Sequence, residues 1–182
     1  MKKAGSCAKG VAWLLMALLS ASACDKKSER VGQQTQSSQP SAAAGRVTAA
    51  LGEYEKLRVS LANDQGAGLS QIADALAQAS RAALPDAPIA QRAGLESIAQ
   101  AAAVLAKTSA TDLDAQRENF GRVSQSVIGL LVADPTLRPG WHIFHCPMTE
   151  TYPKWVQPSS KLSNPYMGKK MPDCGRESDW KM

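Results

Sequence analysis

Apolar residues recur at spacings of three and four from residue 45 to about residue 134, and that period gathers each set on one face of a helix. Val47, Leu51, Tyr54 and Leu61 form a first stripe, with Leu57 beside it, and NDQGAG at 63–68 breaks the pattern. Leu69, Ile72, Leu76, Ala79 and Ala83 form a second, closed by Pro85 and Pro88. Leu95, Ile98, Ala102 and Leu105 make a third. Thr111 reads as an N-cap with acidic residues in the first turn after it, and Phe120, Val123, Val127, Leu130 and Leu131 mark a fourth helix. Short connections make neighbours antiparallel, so the expected fold is all-α, an up-and-down four-helix bundle. Alanine supplies much of the buried surface. Each alanine buries little area, so the core is thin for its length and needs help to close.

The pattern changes on both sides of this region. Residues 135–182 hold most of the prolines, three of the four tryptophans and both histidines. Pro135 and Pro139 end the fourth helix, and the remaining C-terminal segment reads as an irregular cap with a short strand at WHIFH, 141–145. So long a stretch with little regular structure needs a staple of packed aromatics, a disulfide or a metal. Residues 25–44 are rich in Ser, Gln and Lys and read as a disordered tether. Residues 1–24 read as an export signal: Lys2, Lys3 and Lys9, an apolar run GVAWLLMALLS, then ASAC. The last four residues resemble a bacterial lipobox, with Cys24 as the acylated residue. That places the mature chain in the bacterial cell envelope, lipid-anchored and facing the periplasm. Asp25 leaves inner and outer membrane both open.

Charge then excludes one class of partner. Three of the five net positive charges belong to the leader, so the remainder is close to neutral and offers no basic surface for nucleic acid. Enzymatic classes also lack support. No Gly-rich phosphate loop, paired catalytic carboxylates or C-x-x-C-H haem site appears, and an adjacent His145–Cys146 pair on a strand would point to opposite faces.

The chemistry concentrates in three clusters: His142, His145, Cys146 and Met148; Met167 and Met171; and Cys174. Thiol, thioether and imidazole form a soft donor set. It suits Cu(I) or Ag(I), with Zn(II) behind them because each cysteine stands alone rather than in a C-x-x-C pair. The candidate ligands are Cys146, Met148, Met171 and Cys174, with His145 as an optional fifth. His142 reads as a surface residue. Two readings stand beside the metal. Cys146 and Cys174 could form a structural disulfide in an exported domain, or the sulfurs could simply pack among the tryptophans. Asn164-Pro165 and Gly168 read as the turn chemistry that returns Met171 and Cys174 toward Cys146.

The order HCPM, then Trp155, then NPYMGKKMPDCG resembles the C-terminal signature of the bacterial domain of unknown function 3347. The residues that carry the resemblance are Cys146, Pro147, Met148, Trp155, Asn164, Pro165, Tyr166, Gly168, Met171, Cys174 and Gly175. Met167 departs from that pattern, which more often has an aromatic residue there. The family occurs as small exported proteins and fused to periplasmic adaptor subunits of heavy-metal efflux pumps. The resemblance therefore implies soft-metal handling in the envelope, with an efflux adaptor or pump as partner.

Overall fold

A computed structural model describes residues 42–181. The expected leader, Cys24 and nearly all of the tether lie outside the described residues. Four helices succeed one another: α1 (Ala42–Ala62), α2 (Leu69–Ala83), α3 (Ile89–Leu105) and α4 (Leu113–Ala133). Among the described residues, none is long and apolar enough to cross a membrane.

The stripes read from the sequence form the core. Val47, Leu51, Tyr54, Leu57 and Leu61 are buried on α1, as are Leu95, Ile98, Ala102 and Leu105 on α3. Phe120, Val123, Val127, Leu130 and Leu131 are buried on α4, joined by Ile128. On α2 the face turns slightly. Ala73, Ala77 and Ser80 are buried, while Ile72 and Ala79 are half-buried. The cap of α4 also differs by one residue from expectation. Asp112, not Thr111, accepts from the Ala115 amide at 2.9 Å.

Each helix packs broadly on the next in sequence, whereas α1 and α4 meet only narrowly, through side chains such as Tyr54 with Phe120 and Ser124. The fold is therefore mainly helical without being a pure four-helix bundle, and the C-terminal segment, though largely irregular, is organised around a small sheet. It forms a three-stranded antiparallel sheet in the order β2-β1-β3, from β1 (His142–His145), β2 (Lys154–Gln157) and β3 (Arg176–Glu177). The expected strand at WHIFH is β1. Lys154–Gln157 escaped the sequence reading because a four-residue strand, three of whose residues are buried, shows no alternation.

Side-chain hydroxyls bind the sheet to the helices. β2 is an edge strand, and its outward backbone groups would be left unpaired if they met only apolar helix surface. Tyr54 Oη on α1 accepts from the Val156 amide and donates to the Val156 carbonyl, both at 3.2 Å. Ser124 Oγ on α4 donates to the Lys154 carbonyl at 2.9 Å, as does Tyr166 Oη at 3.0 Å. Strand β2 thus widens the narrow join between α1 and α4. A run of rings reinforces this link. Tyr54 stacks on Phe120 (5.7 Å between centroids), Phe120 meets Tyr166 edge-on (5.5 Å), Tyr166 meets Trp155 (6.0 Å), and Trp155 stacks on Phe144 (5.5 Å). Burying each such ring is worth about 1.5–3 kcal/mol, which offsets the thin alanine core.

Candidate metal centre

Pairing between β1 and β2 sets which side chains share a face. Phe144 lies opposite Trp155 and His145 opposite Lys154. The Cys146 amide continues this ladder, donating to the Pro153 carbonyl at 2.9 Å. Alternation along the strand therefore places Cys146 with Phe144 and Trp155, and turns His145 to the other face. Cys146 is fully buried.

Cys174 reaches this face through the NPYMG turn. Asn164 is buried and uses all its polar groups. Its side-chain oxygen accepts from the amides of Tyr166 (2.7 Å) and Met167 (3.1 Å), while its side-chain amide donates to the Cys174 carbonyl at 2.5 Å. Its backbone amide donates to Pro172 O at 2.9 Å, and its carbonyl accepts from Gly168 at 3.1 Å. One residue thus holds both ends of the loop that carries Cys174. Gly175 comes next at φ +143, and a Cβ there would lie 3.0 Å from Trp155 Cη2 and 3.1 Å from the His145 carbonyl, so the chain lies directly against the sheet. Gly168, at φ +54, is anchored to the helices. A Cβ there would overlap the Asp64 carboxylate and the Arg117 guanidinium, which form an ion pair at the end of α1.

These restraints bring the two thiols together. Cys146 and Cys174 are both free, and their thiols are neighbours close enough for one to perturb the ionisation of the other. Burial pushes the Cys174 thiol above its ordinary value, and the adjacent Cys146 sulfur raises it further through charge and hydrogen bonding. A thiol so biased toward its protonated form is a poor nucleophile at neutral pH. Two such sulfurs can lose protons to a metal ion or electrons to an oxidant, and the donor set remains a soft one.

The other sequence candidates are placed elsewhere. His145 Nδ1 is buried and has no hydrogen-bond partner among the described residues. Lys154 and Arg176 flank it on the neighbouring strands, a cationic setting that does not favour a metal cation. Met148 is 59% exposed and lines a separate cleft in which neither cysteine takes part. Met171 is half-buried and begins the turn into Cys174, whose amide donates to the Met171 carbonyl at 3.2 Å. Its side chain is not among those packed on the core. His142 is part-exposed, with Nδ1 3.8 Å from Glu177 Oε1. No three His, Cys, Asp or Glu side chains among the described residues are grouped so as to hold a metal ion.

The sequence reading missed the hydroxyls of Tyr54 and Ser124 and the ion pair of Asp64 with Arg117. Ser124 carried the clearest signal: a polar residue directly after Val123, within the apolar stripe of α4. No protein-family model, curated protein or solved structure matches this chain. The likeness to the domain of unknown function 3347 therefore rests on the motif residues alone.

Proposed function

We propose that this chain is an envelope lipoprotein that captures Cu(I) or Ag(I) between the thiolates of Cys146 and Cys174. The observation that carries the reading is that the NPYMG turn and Gly175 lay Cys174 against the sheet face that holds the buried Cys146, so two free thiols from separate loops are neighbours. Soft monovalent ions accept low coordination numbers and favour thiolate sulfur, so two thiolates suffice where Zn(II) would ask for four ligands. The reading is centred on the two thiolates, with Met171 beside Cys174 in the same turn; Met148 lines a separate cleft. The order of the CPM, NPYMG and CG motifs supports a setting beside heavy-metal efflux, with an adaptor or pump as the acceptor. Acylation of Cys24 would hold the domain at the membrane. Growth with labelled palmitate should mark the wild type and leave Cys24→Ser unmarked.

Anaerobic Cu(I) titration of the reduced protein against a competing chelator tests the site. Wild type should compete and gain thermal stability with bound metal, whereas Cys146→Ser/Cys174→Ser should do neither. Equal uptake by the two proteins would remove the thiol site.

The same proximity favours a second reading, a disulfide-stapled module that docks on an envelope partner without metal. Two neighbouring thiols need little movement to form the bond. Protein isolated without reductant would then show no free thiol at either cysteine after unfolding.

A further inference from the structure

We infer a second soft-metal site, separate from the thiol pair, in which the thioethers of Met148 and Met167 take monovalent Ag(I) or Cu(I). Both methionines line a cleft of about 450 Å³ between the first turns of α4 and the turn at 148–151. Asp112, Asp114, Glu118 and Glu150 surround it. Met148 is one of few large apolar side chains left exposed among the described residues, and it stands two positions beyond the fully buried Cys146.

The chemistry of the cleft selects its occupant. Thioether sulfur is soft and neutral, binds no proton at working pH, and prefers Cu(I) and Ag(I) to harder ions. The carboxylates are not grouped as a hard-cation site, since no three acidic, histidine or cysteine side chains among the described residues could share an ion. They act instead through their field, raising the local concentration of cations at the mouth. Asp114 is fully exposed and Glu118 largely so, with only long contacts to Arg117 at 4.0 Å and Arg122 at 3.9 Å. The one guanidinium in the lining, Arg117, is held by Asp64 and by the carbonyls of Pro165 and Leu61. A cation in the cleft therefore meets excess negative charge and two soft donors. The inference takes from the proposed function the identity of the metal, but none of its ligands.

The test reads the methionine methyls directly in the reduced, full-length wild type, labelled with [13C-ε]methionine and titrated with silver nitrate in chloride-free buffer. The Met148 and Met167 methyl signals should shift together and saturably, on a titration curve distinct from that of Met171, which reports the neighbouring thiol pair. In Met148→Leu the Met167 shift should be lost, with the circular dichroism spectrum unchanged. In Asp114→Asn/Glu118→Gln the Met148 and Met167 shifts should require more silver. Stationary Met148 and Met167 signals would overturn the inference, and so would loss of their shifts in Cys146→Ser/Cys174→Ser, since they would then report only the thiol site. It would also be overturned if a lysine-rich decapeptide moved both signals at concentrations where silver did not, since the cleft would then be a basic-peptide site. Thiol uptake is followed in the same sample by loss of reaction with a thiol reagent, so failure of the cysteine site and failure of this one are read separately.

Discussion

Asn164 shows how one buried amide can set the distance between two distant cysteines. Alanine there would leave the amides of Tyr166 and Met167 and the carbonyl of Cys174 without their partners. Leaving buried polar groups unpaired costs roughly 1–3 kcal/mol each, so Asn164→Ala should lose about 3 kcal/mol or more, seen as a lower urea midpoint. If the proposed thiol site binds Cu(I), that uptake should fall with it, because the loop holding Cys174 is freed. Tyr54 gives a pH dependence. Burial raises its pKa well above the ordinary value, against the smaller opposing effects of its bonds to Ser124 and Val156. A group whose folded pKa is raised stabilises the protein below its unfolded value and loses that contribution as pH climbs past it. Stability should therefore decline above about pH 10, and in Tyr54→Phe that alkaline decline should be shallower, with a lower plateau at neutral pH. The sequence marked Asn164 as turn chemistry, since Asn-Pro before a glycine has a local signature. It could not mark the hydroxyl of Tyr54, because an aromatic in a helical stripe reads as apolar filling.

Among the elements, α3 and α4 approach most tightly at Gly94. A Cβ on Gly94 would lie 2.8 Å from Leu130 Cβ and 2.9 Å from Leu130 Cα, so the helices meet backbone to side chain. Alanine usually improves an exposed helix position by about 1 kcal/mol over glycine. Here overpacking should outweigh that gain, and Gly94→Ala should lower stability by about 1–3 kcal/mol in thermal or urea unfolding. Helix existence was legible because periods of three and four run for many turns on α1, α3 and α4. The sheet was not. β2 has both its faces and one edge covered, so the alternation that betrays a half-buried strand is absent from Lys154–Gln157. The site was legible as a set of sulfurs but not as a geometry. Nothing local in CPM tells that Cys146 turns inward while Met148, two residues on, turns outward.

At the scale of the molecule, the bundle is completed by the sheet rather than by its own fourth interface. The helices alone should then be an unfinished fold. A chain ending at Leu137 keeps every helix but loses Trp155, Phe144, Tyr166 and the strand that joins α1 to α4. It should show helical circular dichroism without a cooperative thermal transition, and it should bind a hydrophobic dye, as compact states without fixed packing do.

The bond from Tyr54 to Val156 spans 102 residues, and it fixes an order of events. Synthesis delivers the chain N-terminus first, so α1 waits for nearly the whole domain before its partner strand exists. Contacts this remote in sequence slow folding, because loop closure must come before the contact that rewards it. The docking of α1 on the sheet therefore comes late, and Cys146 emerges before the Cys174 thiol that will stand beside it exists. In that interval Cys146 has no thiol of its own domain as partner and is open to reaction with another.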